Sequence, residues 1–139
     1  MNKYTYEEIN IGQKEGFSVT VTEKMRDAFR EMTGDVNPLH NDPEYAKSKG
    51  HEKCVAFGMM TASFLSTLAG VYLPGEKSLI KSTTVNFRKP VYIDDELYIE
   101  GEVSEKNDTF NMITLKVTIT NQDKVKVVKG TMEVFVEND

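Results

Sequence analysis

The stretch CVAFGMMTASFLSTLAGVYLPG, residues 54–75, decides the fold because it contains no charged residue over 22 positions. Across the whole chain, 28% of the 139 residues are Asp, Glu, Lys or Arg. A membrane-spanning helix needs about 20 predominantly apolar residues. This stretch has too many small and polar residues for lipid, namely Gly58, Thr61, Ser63, Ser66, Thr67, Gly70 and Pro74. We therefore expect a segment buried within protein and no association with a membrane.

The interior of this stretch predicts a helix from about Gly58 to Ala69. On a wheel of about 100° per residue, the small residues share one side of that helix. They are Ser63, Ser66, Thr67 and Gly70. Larger apolar residues cover the remaining arc. A sheet wrapped around the helix would explain the missing charges, and the small residues would permit close packing.

The chain before this helix predicts a strand and two further helices. The segment Phe17–Thr22 alternates residues of high β-propensity and predicts the first strand. A helix follows, with Thr22 as its N-cap and Gly34 as its stop. We expect residues 35–41 to be poor in helix. A short helix over about residues 42–49 comes next, because an aspartate cap and a proline open it.

The chain after the buried helix predicts antiparallel strands. Apolar residues alternate with polar ones in the segments Thr83–Phe87, Leu97–Val103, Ile113–Ile119 and Val125–Val136. Turns are expected at Asp94–Asp95, Lys106–Asp108 and Asn121–Asp123. In the last strand the alternating apolar residues change from odd-numbered to even-numbered positions, which predicts a β-bulge near Val127–Val128. One long buried helix followed by antiparallel strands is an α+β arrangement, and the length predicts one domain over residues 1–139.

Composition excludes several classes of function. With 17 basic and 22 acidic residues the net charge is −5, which does not suit a nucleic-acid-binding protein. The single cysteine, Cys54, forms no internal disulfide and suits a reducing cytoplasm, and the polar start predicts no secretory signal. Only His40 and His51 are histidines, so no metal site is expected. Glycine-rich phosphate loops are absent, and no cofactor is predicted. His51 lies in a charged stretch that predicts a solvated loop, and Cys54 is expected to be a buried thiol.

The most informative motif is Asp35-x-Asn37-Pro38-x-His40. A carboxylate and an imidazole lie five residues apart, with proline stiffening the chain between them. If the turn brings both side chains to one cavity, they can polarise the same water, and histidine suits proton transfer near neutral pH. Taken alone, the spacing favours a simpler interpretation, in which Asp35 is a turn or cap residue and His40 is a surface histidine.

The wider sequence resembles the MaoC-like, (R)-specific enoyl-CoA hydratases. The resemblance begins at the motif 34–43 (GDVNPLHNDP) and continues through 58–63 (GMMTAS), 73–75 (LPG), 85–91 (VNFRKPV) and 94–97 (DDEL). These segments follow in the family's order over nearly the whole chain. The resemblance implies a hot-dog fold, in which an antiparallel sheet wraps around a long helix.

The resemblance also implies a reaction, the reversible hydration of a trans-2-enoyl thioester to an (R)-3-hydroxyacyl thioester. By analogy, Asp35 and His40 hold the attacking water, and Asn37 supports the turn and the bound substrate. The backbone N–H of Gly58 is the family's donor to the thioester oxygen. Ser63 matches a family serine that positions substrate or water, although a small residue for close packing is an equal interpretation.

One departure from the family pattern concerns substrate binding. Many family members have histidine before the glycine, where this chain has Phe57. Phenylalanine neither donates nor accepts a hydrogen bond. The change shifts substrate choice if the family's histidine shapes the pocket, and it weakens activity if that histidine bonds the thioester.

The expected partners follow from the same resemblance. The substrate is an acyl-CoA or acyl-carrier-protein thioester, and Arg88 and Lys89 either meet its phosphates or form a solvated face. Hot-dog domains usually pair, which implies a homodimer. Two alternatives remain. A hot-dog acyl-thioesterase would often carry an acidic residue on or beside the central helix, and a non-catalytic acyl-thioester-binding domain would fit the phenylalanine.

Overall fold

A computed structural model describes the chain from Met1 to Asp139 as an antiparallel sheet with four α-helices, two of ten or eleven residues and two shorter ones. The strands are β1 (Lys14–Thr20), β2 (Ser78–Phe87), β3 (Glu96–Asn107), β4 (Met112–Thr120) and β5 (Lys126–Val136). The helices are α1 (Glu23–Thr33), α2 (Pro38–Asn41), α3 (Pro43–Ser48) and α4 (Gly58–Thr67). The predicted α+β class is confirmed.

The charge-free segment forms α4, which confirms the predicted start at Gly58. The helix continues beyond the predicted end as a π-helical turn over Leu68–Tyr72. That turn is closed by the N–H of Leu73, which donates to the carbonyl of Leu68 at 2.8 Å, five residues back. No periodic side-chain pattern marks such a wider turn. None of the helices has the length and apolar character that crossing a membrane requires.

The packing of α4 differs from the prediction. Ser63 and Ser66 of the small-residue stripe are exposed in this chain, while Leu65 and Leu68 are buried. A side chain at Gly101 of β3 would come within 2.9 Å of Leu68 Cδ2. The close approach of helix and sheet therefore depends on a glycine of the sheet, against which a large helix residue packs.

The sheet has the order β1-β3-β4-β5-β2, and every neighbouring pair is antiparallel. The predicted apolar faces of its inner strands are confirmed as buried. They comprise Leu97, Ile99 and Val103 of β3, Ile113, Leu115, Val117 and Ile119 of β4, and Met132, Val134 and Val136 of β5. The turn between β3 and β4 lies at residues 108–111, two positions later than predicted. The other two predicted turns are confirmed, with Asp94 and Lys124 at positive φ.

The predicted β-bulge is also confirmed. Ile119 pairs with Val128 and Thr120 pairs with Lys126, so Val127 is the extra residue of β5. Its carbonyl accepts the backbone N–H groups of Arg88 and Lys89 at 2.8 and 3.4 Å. The bulge therefore holds the chain that leaves β2.

The first two predicted helices have the expected caps. The Thr22 hydroxyl oxygen accepts the N–H of Met25 at 3.2 Å, and Gly34 ends α1 with φ of 74°. The prediction of a helix-poor stretch at residues 35–41 is wrong in part, because α2 lies within it. The start of α2 shows the same sequence pattern as the start of α3. In both, a residue whose side chain caps the helix is directly followed by proline; that residue is Asn37 for α2 and Asp42 for α3.

Strand β2 is an edge strand with an exposed apolar face. Alternation was predicted for its second half, but Phe87 is 52% exposed in this chain. Leu79 and Ile80 are exposed at 52% and 38%. A groove lined by Met59, Ala62, Ser63, Leu65, Ser66, Ile80, Thr83, Val85 and Met132 separates β2 from α4. The single chain thus leaves an apolar surface beside an unpaired sheet edge.

Candidate active site

The turn that begins at Asp35 is built by its own side chains. The Asp35 carboxylate accepts the N–H of Asn37 at 3.0 Å, and the Asn37 amide oxygen accepts the N–H of Leu39 at 2.9 Å. These two bonds start α2, with Pro38 at its first position. Asn37 therefore caps α2, and His40 lies near the end of that helix.

The imidazole of His40 is fixed in one tautomer. Its Nδ1 lies 2.7 Å from the carbonyl oxygen of Val55. Because a carbonyl oxygen only accepts, Nδ1 is the nitrogen that donates and carries the hydrogen. In the neutral ring the lone pair then lies on Nε2. The N–H of Val55 also donates to the carbonyl of Leu39 at 3.2 Å, so α2 is bound to the chain that enters α4.

Phe57 packs against the same imidazole. The ring centroids of Phe57 and His40 are 4.3 Å apart with a tilt of 36°. The ring of Phe29 in α1 also packs against Phe57, with 4.9 Å between the two ring centroids. Only 2% of Phe57 is exposed. The phenylalanine therefore orients His40 from the core. Its predicted contact with substrate stays a prediction, because it does not line the cavity described next.

One cavity brings His40 and Gly58 together. It has a volume of about 330 Å³ and is lined by His40, Val55, Ala56, Gly58, Thr61, Phe87, Arg88, Lys89, Pro90, Val91 and Val128. Its walls come from α2, the start of α4, the end of β2 and the β5 bulge. Local sequence does not show that Phe87, Pro90 and Val91 form a wall of this cavity, because these residues are about thirty positions from Gly58 along the chain.

The start of α4 presents free backbone donors at this cavity. Phe57 is the N-cap and makes no side-chain cap. The first helical bond runs from the N–H of Thr61 to the carbonyl of Phe57 at 3.1 Å, so the Gly58 N–H has no partner within the helix. The helix dipole adds positive potential there. A Cβ at Gly58 would lie 3.2 Å from the ring of Phe87, so glycine allows that ring to close over the helix start.

The remaining predicted site residues lie outside this cavity in the single chain. Asp35 and Asn37 are exposed on the surface turn. Ser63 is also exposed, lines the groove beside β2, and donates its hydroxyl to the carbonyl of Met60. The structure therefore places His40 and Gly58 at the same cavity. That the side chains of Asp35 and His40 share one cavity stays a prediction.

The chain leading into α4 is tied to the segment after β2. The N–H of Ala56 donates to the carbonyl of Val91 at 2.7 Å. His51, expected in a solvated loop, is instead half-buried with Nδ1 3.0 Å from the Tyr92 hydroxyl. Burial, together with the carboxylates of Glu52 and Asp95, raises the pKa of Tyr92. The tyrosine comes from forty-one residues away, which is why local sequence missed the contact.

Cys54 lies in the same entering segment, and its thiol is free and buried, as predicted. It is 8% exposed. A small apolar thiol in such a place is a packing group.

Comparison with known proteins decides the family. The family model for the MaoC like domain matches residues 7–125, which is most of the chain. The chain belongs to the MaoC-like domain family. The (R)-specific enoyl-CoA hydratase of Aeromonas caviae is 33% identical to it over 122 residues, covering 88% of this chain and 91% of that protein.

Two further MaoC-like comparisons bear on fold and chemistry. A mitochondrial 3-hydroxyacyl-[acyl-carrier-protein] dehydratase of Arabidopsis thaliana is 30% identical over 114 residues, covering 80% of this chain and 68% of that protein. A solved R-hydratase from Pseudomonas aeruginosa superposes with a TM-score of 0.91 at 30% identity, over 97% of this chain and 86% of that one. The predicted family and hot-dog fold are confirmed.

Proposed function

We propose that this protein interconverts a trans-2-enoyl thioester and an (R)-3-hydroxyacyl thioester. The observation that carries the proposal is one cavity holding both an imidazole with a free Nε2 and a free helix-start N–H, at His40 and Gly58. The relatives named above are a hydratase and a dehydratase, which are the two directions of one reaction. The protein is a hydratase/dehydratase of the MaoC-like family.

The two groups divide the work of hydration. His40 Nε2 takes a proton from water as the water oxygen bonds to C3 of the enoyl group. The electron pair of the double bond then moves toward the thioester oxygen, which gains negative charge. The Gly58 N–H donates to that oxygen and stabilises the charge. Protonation of C2 completes the addition, and dehydration follows the same path in reverse.

Asp35 is proposed as the second acid–base group. It lies five residues before His40 on a turn that its own carboxylate helps to form. A carboxylate paired with the imidazole would hold the water and exchange a proton with C2. Asn37 supports this turn, and Ser63 and Phe57 are proposed to position the substrate.

Arg88 and Lys89 are proposed to meet the carrier of the acyl group. Both line the cavity, and neither forms an ion pair within the chain. CoA and the acyl carrier protein present the acyl group on the same phosphopantetheine arm. Its phosphate group suits two basic side chains at the cavity wall.

We further propose a homodimer formed through the β2 edge. That edge is unpaired, and its exposed apolar residues continue into the groove beside α4. A second copy would pair the edge and cover the apolar surface. Light scattering after size-exclusion chromatography tests this, and a monomer at micromolar concentration contradicts it.

The free thiol of Cys54 supports a cytoplasmic location.

The decisive experiment for the reaction uses crotonyl thioesters on both CoA and acyl carrier protein. Loss of the enoyl absorbance measures hydration, and chiral analysis of the product checks its (R) configuration. We expect His40→Ala and Asp35→Asn to lower kcat by about 10²–10⁴-fold each. Equal rates for the wild type and both variants would overturn the assigned mechanism. Release of free thiol without hydration would instead favour a thioesterase, although α4 carries no acidic residue.

A further inference from the structure

Thr61 of α4 has an unusual hydroxyl group. Only 1% of the residue is exposed, and its Oγ1 is the one enclosed side-chain oxygen or nitrogen in the chain that has no hydrogen-bond partner. Hydroxyls within helices commonly donate to a carbonyl one turn earlier. Thr33 does so, donating to Phe29 at 2.7 Å. Thr61 does not, which leaves a polar group buried at a cost in free energy.

The place of this hydroxyl indicates what it serves. Thr61 lines the cavity that also contains His40 and Gly58. It follows Gly58 by three residues, so both lie on the same side of α4. Helix side chains lean toward the N-terminus, which directs the threonine side chain toward the free Gly58 N–H. Threonine keeps two favourable χ1 rotamers in a helix, so its hydroxyl can turn without leaving a favourable conformation.

We propose that the Thr61 hydroxyl is a second donor to the thioester oxygen, beside the Gly58 N–H. This inference rests on the proposed hydratase function and deepens it. A thioester oxygen has lone pairs and no hydrogen to give, so it satisfies a donor that the protein leaves without an acceptor. The bond strengthens as negative charge develops on that oxygen, and no proton is transferred. Thr61 thus stabilises the negative charge on the thioester oxygen, while His40 accepts the proton from water.

The test compares Thr61→Val with Thr61→Ser on crotonyl thioesters. Valine keeps the shape and removes the hydroxyl, whereas serine keeps the hydroxyl. We expect Thr61→Val to lower kcat by on the order of 10²-fold with KM nearly unchanged, because the donor acts on developing charge. Thr61→Ser should stay within a few-fold of the wild type. Thr67→Val is the matched control, because Thr67 lies on the same helix away from the cavity walls, and its kcat should be unchanged.

Thermal unfolding separates this role from a structural one. Valine removes a buried hydroxyl without a partner, so the Tm of Thr61→Val should equal or exceed that of the wild type while kcat falls. A wild-type enzyme that hydrates crotonyl thioesters, with an unchanged kcat in Thr61→Val, overturns this inference alone. A wild-type protein inactive on both carriers overturns the proposed function, and this inference with it.

Discussion

Replacing Gly58 by proline removes a single hydrogen-bond donor from the site. Proline has no N–H, and the first helical position is where helices tolerate it best. Gly58 occupies that position in α4, and its N–H has no partner in the helix. The preceding residue, Phe57, has φ of −59° and ψ of 123°, the extended conformation that proline requires of its neighbour. The helix should therefore form normally in Gly58→Pro.

The expected loss follows from the function of that donor. Removing one backbone donor from an oxyanion site costs about 10²–10³ in kcat, or about 2.7–4 kcal/mol of transition-state stabilisation. A Cβ at this position lies 3.2 Å from the Phe87 ring, so any side chain also displaces that ring slightly. Phe87 is 52% exposed and has room to move. Gly58→Ala shares this contact and keeps the N–H, which makes it the matched control.

The assay measures kcat for crotonyl hydration by Gly58→Pro and Gly58→Ala, with circular dichroism to confirm that both fold. We expect the alanine variant to be within about tenfold of the wild type, since its ring displacement is small. The proline variant should be at least about tenfold slower than the alanine variant. Similar kcat values for the two variants would refute the assignment of the Gly58 N–H as the donor.

Three further predictions concern other parts of the molecule. Phe57→Ala should destabilise the fold by about 3–5 kcal/mol in urea unfolding, because it empties a buried ring site; a loss below about 1 kcal/mol would contradict the packing described. The double variant Arg88→Gln/Lys89→Gln should have a higher KM for crotonyl-CoA than the wild type, with kcat unchanged, and the difference should be largest at low salt because salt screens charge interactions. A KM that does not change with salt in either the wild type or the double variant argues against phosphate contacts. Burial of the Tyr6 hydroxyl and its hydrogen bond to Asp108 raise the pKa of Tyr6 to about 12. The stability that this hydroxyl adds is therefore complete below pH 10 and is lost as the pH rises toward 12. The stability difference between wild type and Tyr6→Phe should shrink over that range, and a constant difference would contradict it.

Local signals predicted much of the fold because their causes are local. A capping side chain acts on the next turn of chain, so the starts of α1 and α3 were predictable from Thr22 and Asp42. Alternation along β4 predicted its buried face because one side of that strand covers the core. The change of parity at Val127 predicted a bulge for the same reason.

The site was only partly predictable because its contacts join distant parts of the chain. The motif indicated His40, but the acceptor of its Nδ1 is a backbone carbonyl fifteen residues away. Thr61 was visible only as one polar residue among apolar ones, and nothing local shows that its hydroxyl lacks a partner. The exposure of Ser63 depends on which side of α4 meets the sheet, and the contact between Gly101 of β3 and Leu68 that accompanies this packing joins distant parts of the chain.

Two groups of the candidate site are main-chain atoms: the carbonyl of Val55, which accepts from His40, and the free N–H of Gly58, the proposed donor to substrate. Ordinary side-chain substitution at Val55 cannot delete its carbonyl, and at Gly58 only proline deletes the N–H. The cavity wall, by contrast, is made of side chains such as Phe87 and Val128 that can change size freely. Under the proposed mechanism, such a division gives an evolving enzyme a fixed reaction centre and an adjustable pocket for the acyl group. Selection for a new acyl chain length could then act on wall residues, while the tautomer of the histidine and the proposed oxyanion donor stay in place.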